Sequence, residues 1–103
     1  MIENIFADLP QLFKPETIQK TVTYYFSLGK TKKTVKLSST EISVEDGKTI
    51  DNADCVCKTS EEFFLKIWEE DYRPGLKDFM SGVIKSNNPD KLKTFLTAFG
   101  KAS

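Results

Sequence analysis

Residues 21–28 read TVTYYFSL, and the alternation in this stretch decides the fold class. Val22, Tyr24, Phe26 and Leu28 fall on one side of an extended chain, and Thr21, Thr23, Tyr25 and Ser27 on the other. Successive side chains of a strand point to opposite faces, so a period of two predicts a strand with one buried and one wetted side. A helix would need its apolar positions three or four apart. One face of the resulting sheet requires a cover, which the rest of the chain must supply.

Further along the chain, Gly29 to Lys33 predicts a turn, and Val35 and Leu37 resume the alternation on a second strand. Ile42 and Val44 supply a third, closed by Asp46-Gly47, a strong turn dipeptide. A fourth runs through Cys55, Val56 and Cys57, and Val83 to Ser86 reads as a fifth. Short strands joined by turns predict an antiparallel meander.

The covering elements follow a helical period. Ile2, Ile5, Phe6, Leu9 and Phe13 recur at that spacing, with Pro10 predicted to end or restart the helix. Pro15 marks the entry to a short helical turn from Glu16 to Lys20. Thr59 or Ser60 offers an N-cap, and Glu61 and Glu62 complement the dipole of a helix running to about Asp71. Phe64, Leu65, Ile67, Trp68 and Tyr72 share one arc of roughly 160° on it, with Phe63 at the edge. Pro74-Gly75 breaks the chain, and Leu76 to Ser81 reads as a short helix stopped by Gly82. Asn88 as N-cap and Pro89 at the first position open a last helix, from Asp90 to about Phe99. It carries Leu92, Phe95, Leu96 and Phe99 on a narrow stripe. The class is α+β.

A length of 103 residues, with no internal repeat, linker or low-complexity stretch, predicts a single domain over residues 1–103. Lys plus Arg total 15 and Asp plus Glu total 15, so the net charge is zero. Nucleic-acid binding draws its affinity from neutralised phosphates and is not expected here. Lys30, Lys32 and Lys33 form the one basic knot, beside Gly29. It reads as a solvated hairpin tip, with transient attraction to anionic membrane headgroups as the second reading. The N-terminus lacks a secretory pattern, and no apolar run approaches the roughly 18 residues of a membrane span. The cytoplasm is therefore the expected compartment.

Catalytic signatures are sparse. With no histidine, the commonest general base and most zinc sites drop out. Cys55 and Cys57 supply two metal ligands without a third, and two residues apart on one strand they lie about 6.5–7 Å from each other, too far for a disulfide. They read as a structural thiol pair. Adjacent carboxylates at Glu61-Glu62 and Glu69-Glu70-Asp71 point about 100° apart on a helix and do not converge. The glycines show no phosphate-binding spacing. A binding protein rather than an enzyme is expected, with no cofactor and no metal.

Ala53-Asp54-Cys55, then Phe64-Leu65 and Ile67-Trp68, then Pro74, then Phe79-Met80-Ser81-Gly82 occur in an order that resembles the sterol carrier protein family. The opening FADLPQLF, residues 6–13, before a Tyr/Phe-rich strand is similar too. The resemblance implies a five-stranded, mostly antiparallel sheet covered by helices, with an apolar tunnel between. It also implies binding of a fatty acid, fatty acyl-CoA, phospholipid or sterol without catalytic residues. By position, Phe64, Ile67, Trp68, Phe79 and Met80 would line or border the tunnel. Leu92, Phe95, Leu96 and Phe99 would form a lid that moves for entry. Lys91, Lys93 or Lys101 beside the lid would meet an anionic headgroup, their plainer reading being solvated lysines. The chain departs from the family pattern at Asn87-Asn88-Pro89-Asp90, at a longer Gly75 to Asp78 loop, and at Phe63, where a polar residue is common. Phe63 reads as a contact for a partner or second copy. The alternative function is an interaction or dimerisation module of the same fold with a filled core.

Overall fold

The computed structural model describes residues 2–14, 16, 18–70, 72 and 74–100. In chain order these form α1 (Ile2–Leu12), β1 (Val22–Leu28), β2 (Thr31–Leu37), β3 (Ile42–Asp46) and β4 (Cys55–Thr59). Then come α2 (Glu61–Glu69), α3 (Leu76–Ser81), β5 (Ile84–Ser86) and α4 (Pro89–Ala98). The five strands make one sheet in the order β3-β2-β1-β4-β5.

The TVTYYFSL alternation lands at its centre. Val22, Tyr24, Phe26 and Leu28 are all buried, the last three completely. Directly paired residues share a sheet face, so the register extends this face across the neighbours. Tyr24 stands opposite Val35 on one side and Cys55 on the other, and Phe26 opposite Lys33 and Cys57. Val44 pairs with Val35, and Ile84 with Thr59. The opposite face carries Thr23, Tyr25, Lys36 and Lys58.

The meander expectation holds only for β1 to β3. β4 leaves the β3 edge and lies parallel to β1, while the other three pairings are antiparallel. The most apolar strand thereby has both edges paired, which spares its N–H and C=O groups a buried loss. The connection over residues 47–54 crosses the outer face. Thr34 Oγ1 donates to the Gly47 carbonyl at 2.7 Å and accepts from Thr49 N at 3.1 Å, and Lys48 Nζ lies 5.7 Å from the Tyr25 ring. Asp54 then fixes the register. Its carboxylate accepts from Thr23 N at 3.0 Å and Thr23 Oγ1 at 3.1 Å, and its own N–H returns to Thr23 Oγ1 at 3.0 Å.

α1, α2 and α4 cover the inner face through one aromatic cluster. Phe6 meets Phe26 at 5.6 Å and Phe64 at 5.8 Å between centroids, and Phe95 meets Tyr24 at 4.9 Å and Phe26 at 4.8 Å. Offset and edge-on rings at such distances add about 0.5–1.5 kcal/mol per pair beyond the area buried. The Tyr24 hydroxyl is satisfied by donating to the Lys91 carbonyl at 2.8 Å. Burial, followed by the nearby Cys55 and Asp54, raises its pKa well above the ordinary phenol value.

Pro10 does not end α1 but lies within it. An interior proline costs about 3 kcal/mol, and burial on both sides of it offsets that cost. Phe6 and Leu9 sit in the core, Phe13 N donates to the Leu9 carbonyl at 3.0 Å, and the Phe13 ring meets Phe99 at 5.7 Å. Of the short helical turn expected from Glu16 to Lys20, Glu16 is helical and residues 18–20 are not, while Thr17, like Pro15 at the entry, lies outside the described residues.

The hairpin tip is also shorter than expected. Gly29, with φ 62°, and Lys30 make the whole turn, so Lys32 and Lys33 belong to β2. Lys33 then points inward. Its ammonium is buried, donates to Glu3 Oε2 at 2.7 Å and to Asp46 Oδ1, and lies 5.9 Å from the Phe6 ring. Desolvation alone would lower its pKa; the hydrogen bonds to Asp46 and Glu3 win and raise it. Far from being a solvated tip, Lys33 ties α1 to the β3 edge.

Cys55 and Cys57 are free and buried on the inner face. Burial pushes Cys57 up to about 12 and raises Cys55 as well, so both stay thiols at neutral pH. No helix among the described residues is long and apolar enough to cross a membrane.

Candidate functional site

Two local structures bring α3 and α4 together. The first is the loop leading into α3. The Asp78 carboxylate accepts from Gly75 N at 2.8 Å and from the Tyr72 hydroxyl at 2.7 Å. The Gly75 bond, then the Tyr72 bond, holds the Asp78 carboxyl below its usual range. Tyr72 is in turn held to α2, its ring edge-on to Phe63 at 5.6 Å and under Lys66 Nζ at 4.2 Å. The half-buried Phe63, expected as a partner contact, thus has a partner within the chain.

The second is the turn into α4. Asn87 Oδ1 accepts from Val56 N at 2.7 Å, extending the β4 edge beyond its pairing with β5. Asn88 Oδ1 caps α4 by accepting from Lys91 N at 3.3 Å, and Pro89 occupies the first turn. The asparagines that depart from the family pattern therefore anchor the helix.

Between these elements runs a groove of about 320 Å³. Pro74, Gly75, Leu76 and Phe79 form one wall. Pro89, Leu92 and Leu96, at the i, i+3, i+7 spacing of one helix face, form the other, with Asp90 and Lys93 beside them. The lining is mostly apolar with one charge of each sign. Two further hollows are more polar. One, of about 240 Å³, lies around Lys20, Val22, Lys91 and Thr94. The other, of about 330 Å³, lies around Glu3, Phe6, Lys33 and Asp46. A concave apolar lining with few polar groups is what a lipid-sized site requires, at a volume of about 300 Å³ or more.

No protein-family model and no curated protein matches the sequence. Solved structures do match. A double mutant of the sec-alkyl sulfatase PisA1 superposes with a TM-score of 0.81 at 16% identity, over 100% of this chain and 16% of that one. The chain thus spans about a sixth of the sulfatase. UbiJ-SCP2, a ubiquinone synthesis protein, superposes with a TM-score of 0.71 at 15% identity, over 98% of this chain and 94% of that one. Sterol carrier protein 2 from Yarrowia lipolytica, in its apo form, gives 0.63 at 17% identity, over 93% and 90%. The chain has the sterol-carrier-protein fold. The five-stranded, mostly antiparallel sheet covered by helices is the architecture that the resemblance implied.

Within this sterol-carrier-protein fold, the residues expected at a lipid site separate into three groups. Phe79 lines the groove half-buried, and Leu92 and Leu96 line it while themselves buried in the core. Phe64, Ile67, Trp68, Phe95 and Phe99 lie in the core. There Trp68 meets Phe64 at 5.8 Å and Phe99 at 5.9 Å, and Phe95 meets Phe99 at 4.7 Å. Met80 stands on the outer side of α3, 78% exposed. Of the lysines expected beside the lid, Lys93 is at the groove, Lys91 is at the hollow near Lys20, and Lys101 lies outside the described residues. Pro74, Gly75, Leu76, Pro89 and Asp90 were not foreseen. The available signal was Leu76, an apolar residue three before Phe79 in a helix too short to bury both.

Proposed function

We propose that this chain binds a lipid with a single acyl chain in the groove between α3 and α4 and holds it without covalent change. The observation that carries the reading is the groove itself: about 320 Å³, walled by Leu76, Phe79, Leu92 and Leu96. At about 30 Å³ per water-sized group, it accommodates roughly ten methylenes. Each methylene taken out of water contributes about 0.8 kcal/mol when fully buried. Lys93 at the wall suits an acidic headgroup, such as a fatty acid carboxylate. A neighbour of the same fold is named as a sterol carrier, which supports an apolar ligand for this chain. Transfer of the lipid between membranes, in place of storage, is the finer form of the reading.

The second reading, an interaction or dimerisation module, draws on the ring contacts among Phe64, Trp68, Phe95 and Phe99, which fill the space under the helices. Titration of the delipidated protein with a fluorescent fatty acid, together with native mass spectrometry, separates the two. Saturable binding of one acyl chain per protein at micromolar concentration is expected. A protein that carries no lipid and takes up none at that concentration refutes the first reading and leaves the second.

A further inference from the structure

The outer side of α3 is apolar where a surface helix is normally polar. Leu76 is 76% exposed and Met80 78%, and Val83, just past the helix, is 44% exposed. At about 100° per residue, Leu76 and Met80 lie about 40° apart on one side, and Lys77 follows about 60° further round. Asp78 points the other way, and Phe79 lies about 60° from Leu76 on the side away from Lys77. The Asp78 carboxylate is engaged by Tyr72 and Gly75, and Phe79 lines the groove. The helix therefore presents leucine, methionine and lysine outward and keeps its one acid behind. Cations stand near the patch. Lys85 is exposed, and its Cε reaches within 3.7 Å of where a Gly82 Cβ would stand, at the end of α3. Lys93 is exposed on the facing helix across the groove, where Asp90 is the neighbouring acid.

We propose that this side of α3 docks on an anionic lipid bilayer, with Leu76, Met80 and Val83 entering the headgroup layer and Lys77, Lys85 and Lys93 meeting its negative charge. Two features choose a bilayer over a protein partner. Exposed apolar side chains with a lysine fringe match an interface that is apolar beneath and anionic above. Leu76 also belongs to both the patch and the groove wall, so docking sets the groove mouth against the membrane from which a lipid would come. The proposal rests on the lipid-binding reading of the groove and adds the surface through which the ligand is exchanged.

Vesicle co-sedimentation of the full chain tests it, with vesicles of phosphatidylcholine alone or mixed with phosphatidylglycerol. Binding is expected to the mixed vesicles, to weaken with added salt, and to be much lower on phosphatidylcholine alone. Each lysine near an anionic surface raises partitioning about five-fold, so Lys77→Gln with Lys85→Gln reduces it about thirty-fold. Met80→Ser reduces it about ten-fold. All three positions are exposed, and thermal melting confirms that the variants fold. Uptake of fluorescent fatty acid from solution is expected to be unchanged in the double lysine variant. A protein that takes up fatty acid but ignores anionic vesicles, or variants that bind vesicles as well as the parent, overturns the proposal and spares the groove. Self-association lost on Met80→Ser, with no vesicle binding, also overturns it, assigning the patch to a second copy. Vesicle binding that responds to the variants, with no fatty acid uptake, supports the docking surface and refutes the groove reading instead.

Discussion

Gly75→Trp is the substitution that most directly interrogates the groove. Gly75 lines it, has φ −107° and ψ −178°, and an added Cβ meets no atom within 4 Å. Its backbone is extended and open to any residue, so the indole enters without strain. The Gly75 N–H donates to the Asp78 carboxylate from the main chain, so the bond survives the change of side chain. Loss of glycine at the N-cap costs about 0.5–1 kcal/mol of stability. Ten methylenes would contribute about 8 kcal/mol if fully buried, and roughly half that in a groove open along one side. An indole filling about half the groove removes about 2 kcal/mol of this, or about thirty-fold in affinity. Displacement of a dansyl-labelled fatty acid reads the change, with Ser81→Trp, exposed at the far end of α3, as the control expected to bind normally. A folded Gly75→Trp protein that binds within about two-fold of the parent refutes the groove as the lipid site.

Phe95 is fully buried against Tyr24, Phe26 and Phe99, so Phe95→Ala should cost about 3–5 kcal/mol in urea unfolding; a loss below about 1 kcal/mol would mean that the ring faces open space. The depressed Asp78 carboxyl stabilises the fold above the ordinary carboxylate range, and that contribution disappears as pH falls through its native value. Carboxyl 13C titration by NMR should place Asp78 below the ordinary aspartate value, and Tyr72→Phe should move it back up; no movement would show that the Tyr72 bond is absent in solution. Because burial pushes Cys57 up to about 12, a thiol reagent at mildly alkaline pH should modify it only as fast as the protein opens, and prompt reaction of the native protein would contradict its burial.

Most of the architecture was legible along the chain because it rests on local periods and punctuation. The alternation over residues 21–28, the Ser60 and Asn88 caps, and the stop at Gly82 with φ 83° each act within a few residues of themselves. The inward turn of Lys33 was legible too: it stands two before Val35, on the same strand face, and only the placement of the turn concealed it. Pro10 shows the limit of local rules: its penalty is visible along the chain, whereas the burial of Phe6 and Leu9 that offsets it is not.

What the chain order did not show is which elements become neighbours. Strand β4 lies beside β1 and not β3 because the central strand needs both edges paired, a demand met by residues more than thirty apart. The candidate site depends on the same kind of contact. Phe64, Trp68, Phe79, Leu92 and Phe95 are equally apolar on paper. Tertiary packing closes Phe64, Trp68, Phe95 and Leu92 over the sheet, with Leu92 also bordering a groove along which Phe79 is left half-buried. Apolar character is a property of the residue, whereas facing a cavity or a neighbour's ring is a property of how two helices are set side by side.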